Sequence, residues 1–140
     1  MGKMKIEWIK FKSHGDGRGQ LVALEQGREL PFEVKRVYYI FDTLKGVRRG
    51  YHAHKSLEQI LVCVNGSCRI LLDDSKEKCN VILDSPCKGI LLRNNIWREM
   101  YDFTEGAVLV VLASELYDES DYIRDYNEFL KFVEENKNDK

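Results

Sequence analysis

The sequence has almost no net charge, no long apolar run and no histidine after position 54, and each absence excludes something. Twenty-two Lys and Arg stand against 23 Asp and Glu, a formal net charge of −1. The two signs are interspersed, so neither a nucleic acid nor a membrane is expected as a partner. No stretch approaches the roughly 18 to 20 apolar residues of a membrane-crossing helix. The opening MGKMKIEWIKF lacks the apolar core of a signal peptide, and the expected location is the cytoplasm. The four cysteines, Cys63, Cys68, Cys79 and Cys87, are too dispersed for a paired CxxC zinc site and are expected as reduced thiols. Also missing are a GxxxxGK phosphate loop, a GxGxxG fingerprint and a GxSxG nucleophile elbow. There is no repeat, low-complexity tract or linker, so residues 1–140 are expected to form one domain.

What is present is a succession of short β-type segments. IEWIKF reads as a strand, and Ser13 to Gly19, SHGDGRG, as a glycine-rich turn or loop. QLVALEQG and the aromatic, β-branched run KRVYYIFD (Lys35 to Asp42) follow as strands. Gln59 to Val64 and Ser67 to Leu72 flank Asn65-Gly66, the dipeptide that favours a tight hairpin because both residues tolerate positive φ. The spacing predicts a hairpin there. Asn80 to Leu83, Gly89 to Leu92, Trp97 to Phe103 and Ala107 to Ala113 continue the series, which implies a sandwich or small barrel. After Ser114 the apolar period changes. Tyr122, Ile123, Tyr126, Phe129, Leu130 and Val133 fall near helical spacing with Ser120 as N-cap, so the chain is expected to end in an α-helix.

Chemistry concentrates in RGYHAHK. On a strand His52 and His54 share one face while Tyr51, Ala53 and Lys55 take the other. Two imidazoles directed into one space suit either proton transfer or metal ligation. A metal needs further ligands, but Lys55 to Lys140 contains no histidine and His14 lies in the early glycine-rich loop. A carboxylate such as Glu58 is the remaining source, and the residues alone leave both readings open.

The pattern around the pair resembles the first motif of the cupins, G(x)5HxH(x)3-4E(x)6G. Gly46, His52, His54 and Gly66 fall at the matching spacings, and Gln59 fills the glutamate slot. The second motif, PxG followed by histidine, is approximated only by Pro86-Cys87-Lys88-Gly89, without its histidine. Longer stretches, KRVYYIFD, RGYHAHK, VNGS, WREMYDF and VLVVLASELYDESDYIRDYNEF, resemble the nucleotide-sugar 3,4-ketoisomerases of the FdtA/WxcM-like group over nearly the whole chain. That resemblance implies a mainly β fold, the cupin double-stranded β-helix or jelly roll, with the C-terminal α-helix appended. It implies a dTDP-4-keto-6-deoxyglucose substrate, no cofactor and no metal, and a homodimer with exchanged N-terminal strands. A nucleotide-sugar 3,5-epimerase, a metal-dependent cupin and a non-catalytic sugar-binding cupin are the alternatives.

A ketone shift from C4 to C3 needs one proton taken from C3 and one returned to C4, and imidazoles are suited to both. His52 and His54 are therefore the expected catalytic residues, in an order the sequence does not specify, with Tyr38 as an assisting phenol. The diphosphate calls for cations, and Arg18, Arg36, Arg49, Lys55 and Arg98 are the candidates. Trp97 is the candidate for stacking on thymine, and Gln59 for holding the sugar or a histidine. The configuration at C4 of the product is not legible in the residues.

Overall fold

The structure is a computed structural model, and it describes residues 4–136. Two five-stranded antiparallel sheets face one another in a jelly roll. One contains β1 (Glu7–Lys10), β9 (Lys88–Leu92), β6 (Gln59–Asn65), β11 (Val108–Ala113) and β4 (Arg36–Ile40), in that order. The other runs β12 (Tyr122–Ile123), β5 (Arg49–His54), β10 (Trp97–Tyr101), β7 (Cys68–Asp73) and β8 (Lys78–Leu83). A separate hairpin of β2 (Ser13–Asp16) and β3 (Gly19–Val22) precedes them, and α1 (Tyr126–Asn136) closes the described chain. No helix among the described residues is long and apolar enough to cross a membrane.

Three layers of apolar packing explain why several strands read as continuous hydrophobic runs rather than as alternations. Between the sheets lie Leu61, Cys63, Ile70, Leu72, Val81, Leu83, Ile90, Met100, Leu109 and Val111. The outward faces are covered as well. Ile60, Val62, Leu91 and Leu112 pack under Phe11 and Leu30 of the N-terminal segment, while Ala53, Trp97 and Ile123 pack under Phe129 of α1. Alternate residues of β6 thus serve two different cores, and burying each such side chain is worth about 1.5–3 kcal/mol.

Three local expectations are corrected. Asn65-Gly66 is a turn, with Gly66 at φ +66°, yet it does not close a hairpin. Strand β6 pairs with β9 and β11, and β7 with β8 and β10, so the turn carries the chain from one sheet to the other. Its polar groups bond to another loop, the Asn65 side chain donating to the Gly106 carbonyl and the Ser67 amide to Thr104 Oγ1. Ser13 to Gly19 is not a loop but most of the β2–β3 hairpin, with Asp16↔Gly19 as its last pair. The helix begins later than its apolar period suggests. Asp118, not Ser120, caps a single 3-10 turn over Glu119–Asp121, Tyr122–Ile123 is a strand paired to β5, and α1 is capped by Asp125, whose Oδ1 accepts the Glu128 amide.

Candidate active site

Strand alternation makes one end of the space between the sheets polar. His52 and His54 on β5, Arg98 on β10, Gln59 on β6, and Arg36 and Tyr38 on β4 occupy the positions whose neighbours two residues on (Leu61, Met100, Ile40) belong to the inner core. Register brings them level. Arg98 is opposite His52, Ala113 is opposite both Gln59 and Arg36, and Tyr122 is opposite His54.

The approach to the histidines is shaped by a bulge. Arg98 pairs with His52 but Glu99 pairs with Gly50, leaving Tyr51 as the extra residue. Gly50 has φ +94° and Tyr51 φ +57°. A Cβ on Gly50 would lie 2.8 Å from the Arg98 carbonyl oxygen and 3.2 Å from Glu99 Cα. Gly50→Ala therefore combines left-handed strain with a backbone clash, and a loss of about 1–3 kcal/mol is expected in chemical unfolding.

The two imidazoles meet edge to face with ring centroids 4.9 Å apart. The Tyr122 ring lies 5.1 Å from His52 and 4.5 Å from His54. His54, fully buried, donates from Nδ1 to Asp121 Oδ2 at 3.0 Å. The Gly50 backbone favours the protonated form of His52, against the larger effect of burial. Both Nε2 atoms are buried without a hydrogen-bond partner. Lone pairs on these two nitrogens are thus free to take a proton from, or pass one to, a molecule between the sheets.

Burial, reinforced by the Arg98 cation, pulls the His52 pKa down to about 4. The same two causes act in the same order on His54, joined by the neighbouring His52. Near neutral pH both rings are uncharged, the form a general base requires. Arg98 itself is fully buried and makes its hydrogen bonds to neutral oxygens, Gln59 Oε1 at 2.5 Å and the Ile96 carbonyl at 3.1 and 3.2 Å. Burial brings its own pKa down to about 10, so it remains a cation, and one without a carboxylate counter-ion in those bonds.

Gln59 faces inward and links two polar groups: its Oε1 accepts from Arg98 while its Nε2 donates to the Tyr38 hydroxyl at 3.2 Å. Burial pushes the Tyr38 phenol up. The Arg36 guanidinium lies 5.3 Å from the Tyr38 ring and 5.7 Å from the Tyr117 ring, and its Nε and Nη2 are buried without partners. With the two imidazole nitrogens, this makes four unsatisfied buried nitrogens, a concentration that a bound polar molecule would relieve.

Other expected site residues stand elsewhere. Trp97, 3 % exposed, points to the opposite face of β10 from Arg98, packs on Tyr126 and Phe129 of α1 and donates to Glu99. It is a core residue rather than a stacking platform for a base. Lys55 borders a different cavity of about 750 Å³, lined also by Met4, Ile6, Arg93, Asn94 and Phe132. None of the paired imidazoles or inward-facing arginines lines it. Arg49 is exposed at the start of β5. Arg18 sits at the tip of the β2–β3 hairpin in an exposed ion pair with Asp16. Neither joins the histidines within this chain. Among the described residues no group of three or more His, Cys, Asp or Glu is arranged to hold a metal ion.

Sequence reasoning missed the segment that walls the site. Asp121 and Tyr122 contact the histidines. Beside them Arg124 stacks on Tyr122 at 4.2 Å and pairs with Glu119 through two bonds of 2.8 Å. A signal was present: Asp125-x-x-Glu128 is a helix-start pattern, and it leaves YDESDYIR outside the helix.

Comparison with known proteins is consistent across three measures. A family model described as FdtA: WxcM-like, C-terminal, matches residues 4–134. The TDP-4-oxo-6-deoxy-alpha-D-glucose-3,4-oxoisomerase of Aneurinibacillus thermoaerophilus is 52% identical over 130 residues, which is 93% of this chain and 94% of that protein. A 3,4-ketoisomerase from Helicobacter canadensis superposes with a TM-score of 0.90 at 49% identity, over 94% of this chain and 98% of its own. A histidine-to-asparagine variant of the 3,4-ketoisomerase QdtA from Thermoanaerobacterium thermosaccharolyticum, in complex with TDP-4-keto-6-deoxyglucose, does so with a TM-score of 0.90 at 46% identity, over 95% of each chain.

Proposed function

The chain belongs to the FdtA family of WxcM-like proteins, and from that premise we infer that it is a nucleotide-sugar 3,4-ketoisomerase acting on dTDP-4-keto-6-deoxyglucose. The product is the corresponding dTDP-3-keto-6-deoxyhexose, a precursor suited to amination at C3. The observation that carries the mechanism is the pair of buried, unpartnered Nε2 atoms of His52 and His54.

The reaction is internally balanced: the C3 carbinol is oxidised as the C4 carbonyl is reduced, so no external oxidant or reductant enters. A neutral imidazole takes the C3 proton, the electrons of that C–H bond form the C3–C4 double bond, and the C4=O π electrons pass to O4, which takes up a proton to complete the enediol. The O3 proton is given up as the C3 carbonyl forms, and C4 receives a proton. In our reading His52 and His54 carry these protons between them. Their low basicity is a consequence of burial and Arg98, and the developing negative charge on the enediolate oxygen would be stabilised by the same buried cation. Tyr38, held by Gln59, supplies a hydroxyl to an oxygen of the sugar. Arg36, with two free nitrogens, is assigned to a phosphate or the keto oxygen.

A homodimer with exchanged N-terminal strands is part of this proposal. It is supported by the apolar outer stripe of edge strand β4, where Val37 and Tyr39, with Phe41 just beyond, stand exposed, and it would give Arg18 and Arg49 a partner's site to serve. Sedimentation should then return twice the chain mass of 16.4 kDa. The location proposed is cytoplasmic, which cell fractionation checks.

Incubation with fresh dTDP-4-keto-6-deoxyglucose in D2O, followed by NMR, tests the function. We expect the carbonyl to appear at C3 with deuterium at C4 and none at C5. Deuterium at C5 would instead indicate an epimerase, and binding without conversion a sugar-binding protein. The coupling constants at C4 read out the product configuration in the same spectrum.

A further inference from the structure

We propose that Asp121 is a positioning residue for the reaction: it fixes the His54 tautomer with hydrogen on Nδ1, which makes Nε2 the reactive nitrogen, and holds the charge of the imidazolium formed during turnover. The inference rests on the ketoisomerase reading for its kinetic consequence, but its geometric content is independent of substrate.

Three contacts set Asp121 against His54 from outside the β5 strand. Oδ2 accepts from His54 Nδ1 at 3.0 Å, Oδ1 accepts the Ser56 amide at 2.8 Å, and the Asp121 carbonyl accepts the Lys55 amide at 2.9 Å. Each carboxylate oxygen thus holds one donor, the His54 ring and the Ser56 amide two residues on, and the group cannot rotate away without breaking two bonds. Behind it, Asp118 caps the 3-10 turn by accepting the Ser120 amide, and the Asp121 amide donates to the Asp118 carbonyl. The following residue, Tyr122, is in register with His54 and covers both rings. His52 has no hydrogen-bonded carboxylate; the neutral Gly50 backbone is what favours its protonated form most. The two imidazoles are therefore chemically unequal: His54 has a hydrogen-bonded carboxylate, while Glu119 acts on His52 only through space.

A carboxylate can only accept, so the proton on Nδ1 is obligatory and the lone pair must lie on Nε2. Asn at position 121 is the discriminating substitution. Its Oδ1 can keep the Ser56 amide bond, which turns Nδ2–H₂ toward His54 and requires Nδ1 to accept. The proton then moves to Nε2 and the base is blocked with little change in shape. Loss of the orienting carboxylate in a comparable histidine–aspartate pair costs up to about 10⁴-fold in turnover.

The test uses the full chain with histidine labelled by ¹⁵N, comparing wild type, Asp121→Asn and Asp121→Glu. In wild type the His54 Nδ1 should resonate as a protonated nitrogen and Nε2 as an unprotonated one; in Asp121→Asn the two should exchange character. With dTDP-4-keto-6-deoxyglucose, kcat of Asp121→Asn should fall about 10²-fold or more while KM stays within a few-fold, and Asp121→Glu should recover part of kcat. An unchanged tautomer in Asp121→Asn, or a loss confined to KM, overturns the proposal. Thermal unfolding of each variant separates this from collapse of the fold; should Asp121→Asn not fold, the tautomer in wild type and the Asp121→Glu kinetics still decide. If wild type itself does not isomerise the sugar, the ketoisomerase reading fails while the tautomer measurement continues to test Asp121.

Discussion

The His52→Asn and His54→Asn variants are each expected to lose about 10²- to 10⁴-fold in kcat while binding the dTDP-sugar within a few-fold of wild type. The physical basis is that both rings are neutral, both present a free Nε2, and Asn is a smaller polar side chain without a basic nitrogen. The double variant should be little worse than the poorer single one. Groups that act in one proton circuit give non-additive losses, and rings 4.9 Å apart that serve successive steps on one substrate form such a circuit. Turnover followed by NMR, with affinity for dTDP or the keto-sugar measured by calorimetry, separates the two quantities. Wild-type turnover in either single variant would remove that histidine from the chemistry. Equal losses of affinity and turnover would instead make the pair a binding device.

Acidification should destabilise the fold by about 2 kcal/mol between pH values of about 7.5 and 5 through His52 alone. The folded-state value near 4 lies below the 6.5 of a free imidazole, so in that interval the unfolded chain binds the proton that the folded chain excludes. Stability therefore rises with pH across the window and falls as pH drops through it, by about 1.4 kcal/mol for each pH unit well inside it. The cause is burial against the Arg98 cation, and His54 adds in the same direction. The low-pKa carboxylates interfere little, since Glu119 is held down to about 2 by Arg124 and a free glutamate titrates near 4.5. Urea midpoints across the pH range measure the effect, and His52→Gln should flatten the slope. A midpoint independent of pH above about 5 would mean that the site admits a protonated imidazole without penalty, and the neutral-base mechanism would lose its footing.

These two expectations draw on different levels of information. That His52 and His54 face the same way follows from spacing alone, because a strand has period two and no tertiary contact is needed to establish it. The inward direction of Gln59, five residues beyond His54 on the next strand, was left open by spacing and settled only by its bonds to Arg98 and Tyr38. The β-rich class, most strand positions and the terminal helix were legible, since each depends on local hydrophobic period and turn chemistry.

Which strands pair was not. Asn65-Gly66 has the local chemistry of a hairpin, and its backbone obeys that chemistry, with Gly66 at φ +66°. The partners of β6 and β7, however, are chosen by burial of both faces of β6 between two cores, a non-local gain that outweighs pairing across the turn. Trp97 illustrates the same point one residue at a time. In the sequence it is a free aromatic next to Arg98, and only the arrival of α1 on the outer face of the sheet makes it core while turning Arg98 inward.

The sequence by itself therefore determined the family, the β class and the histidine pair, all properties of local pattern. Only the tertiary structure decided what surrounds those histidines: Asp121 reaching His54 across 67 positions, burial and then Arg98 holding both rings neutral, and Arg36 left with nitrogens to spare. Charges act through space and depend on desolvation, and neither separation in space nor exclusion of water is encoded in any one segment of the chain.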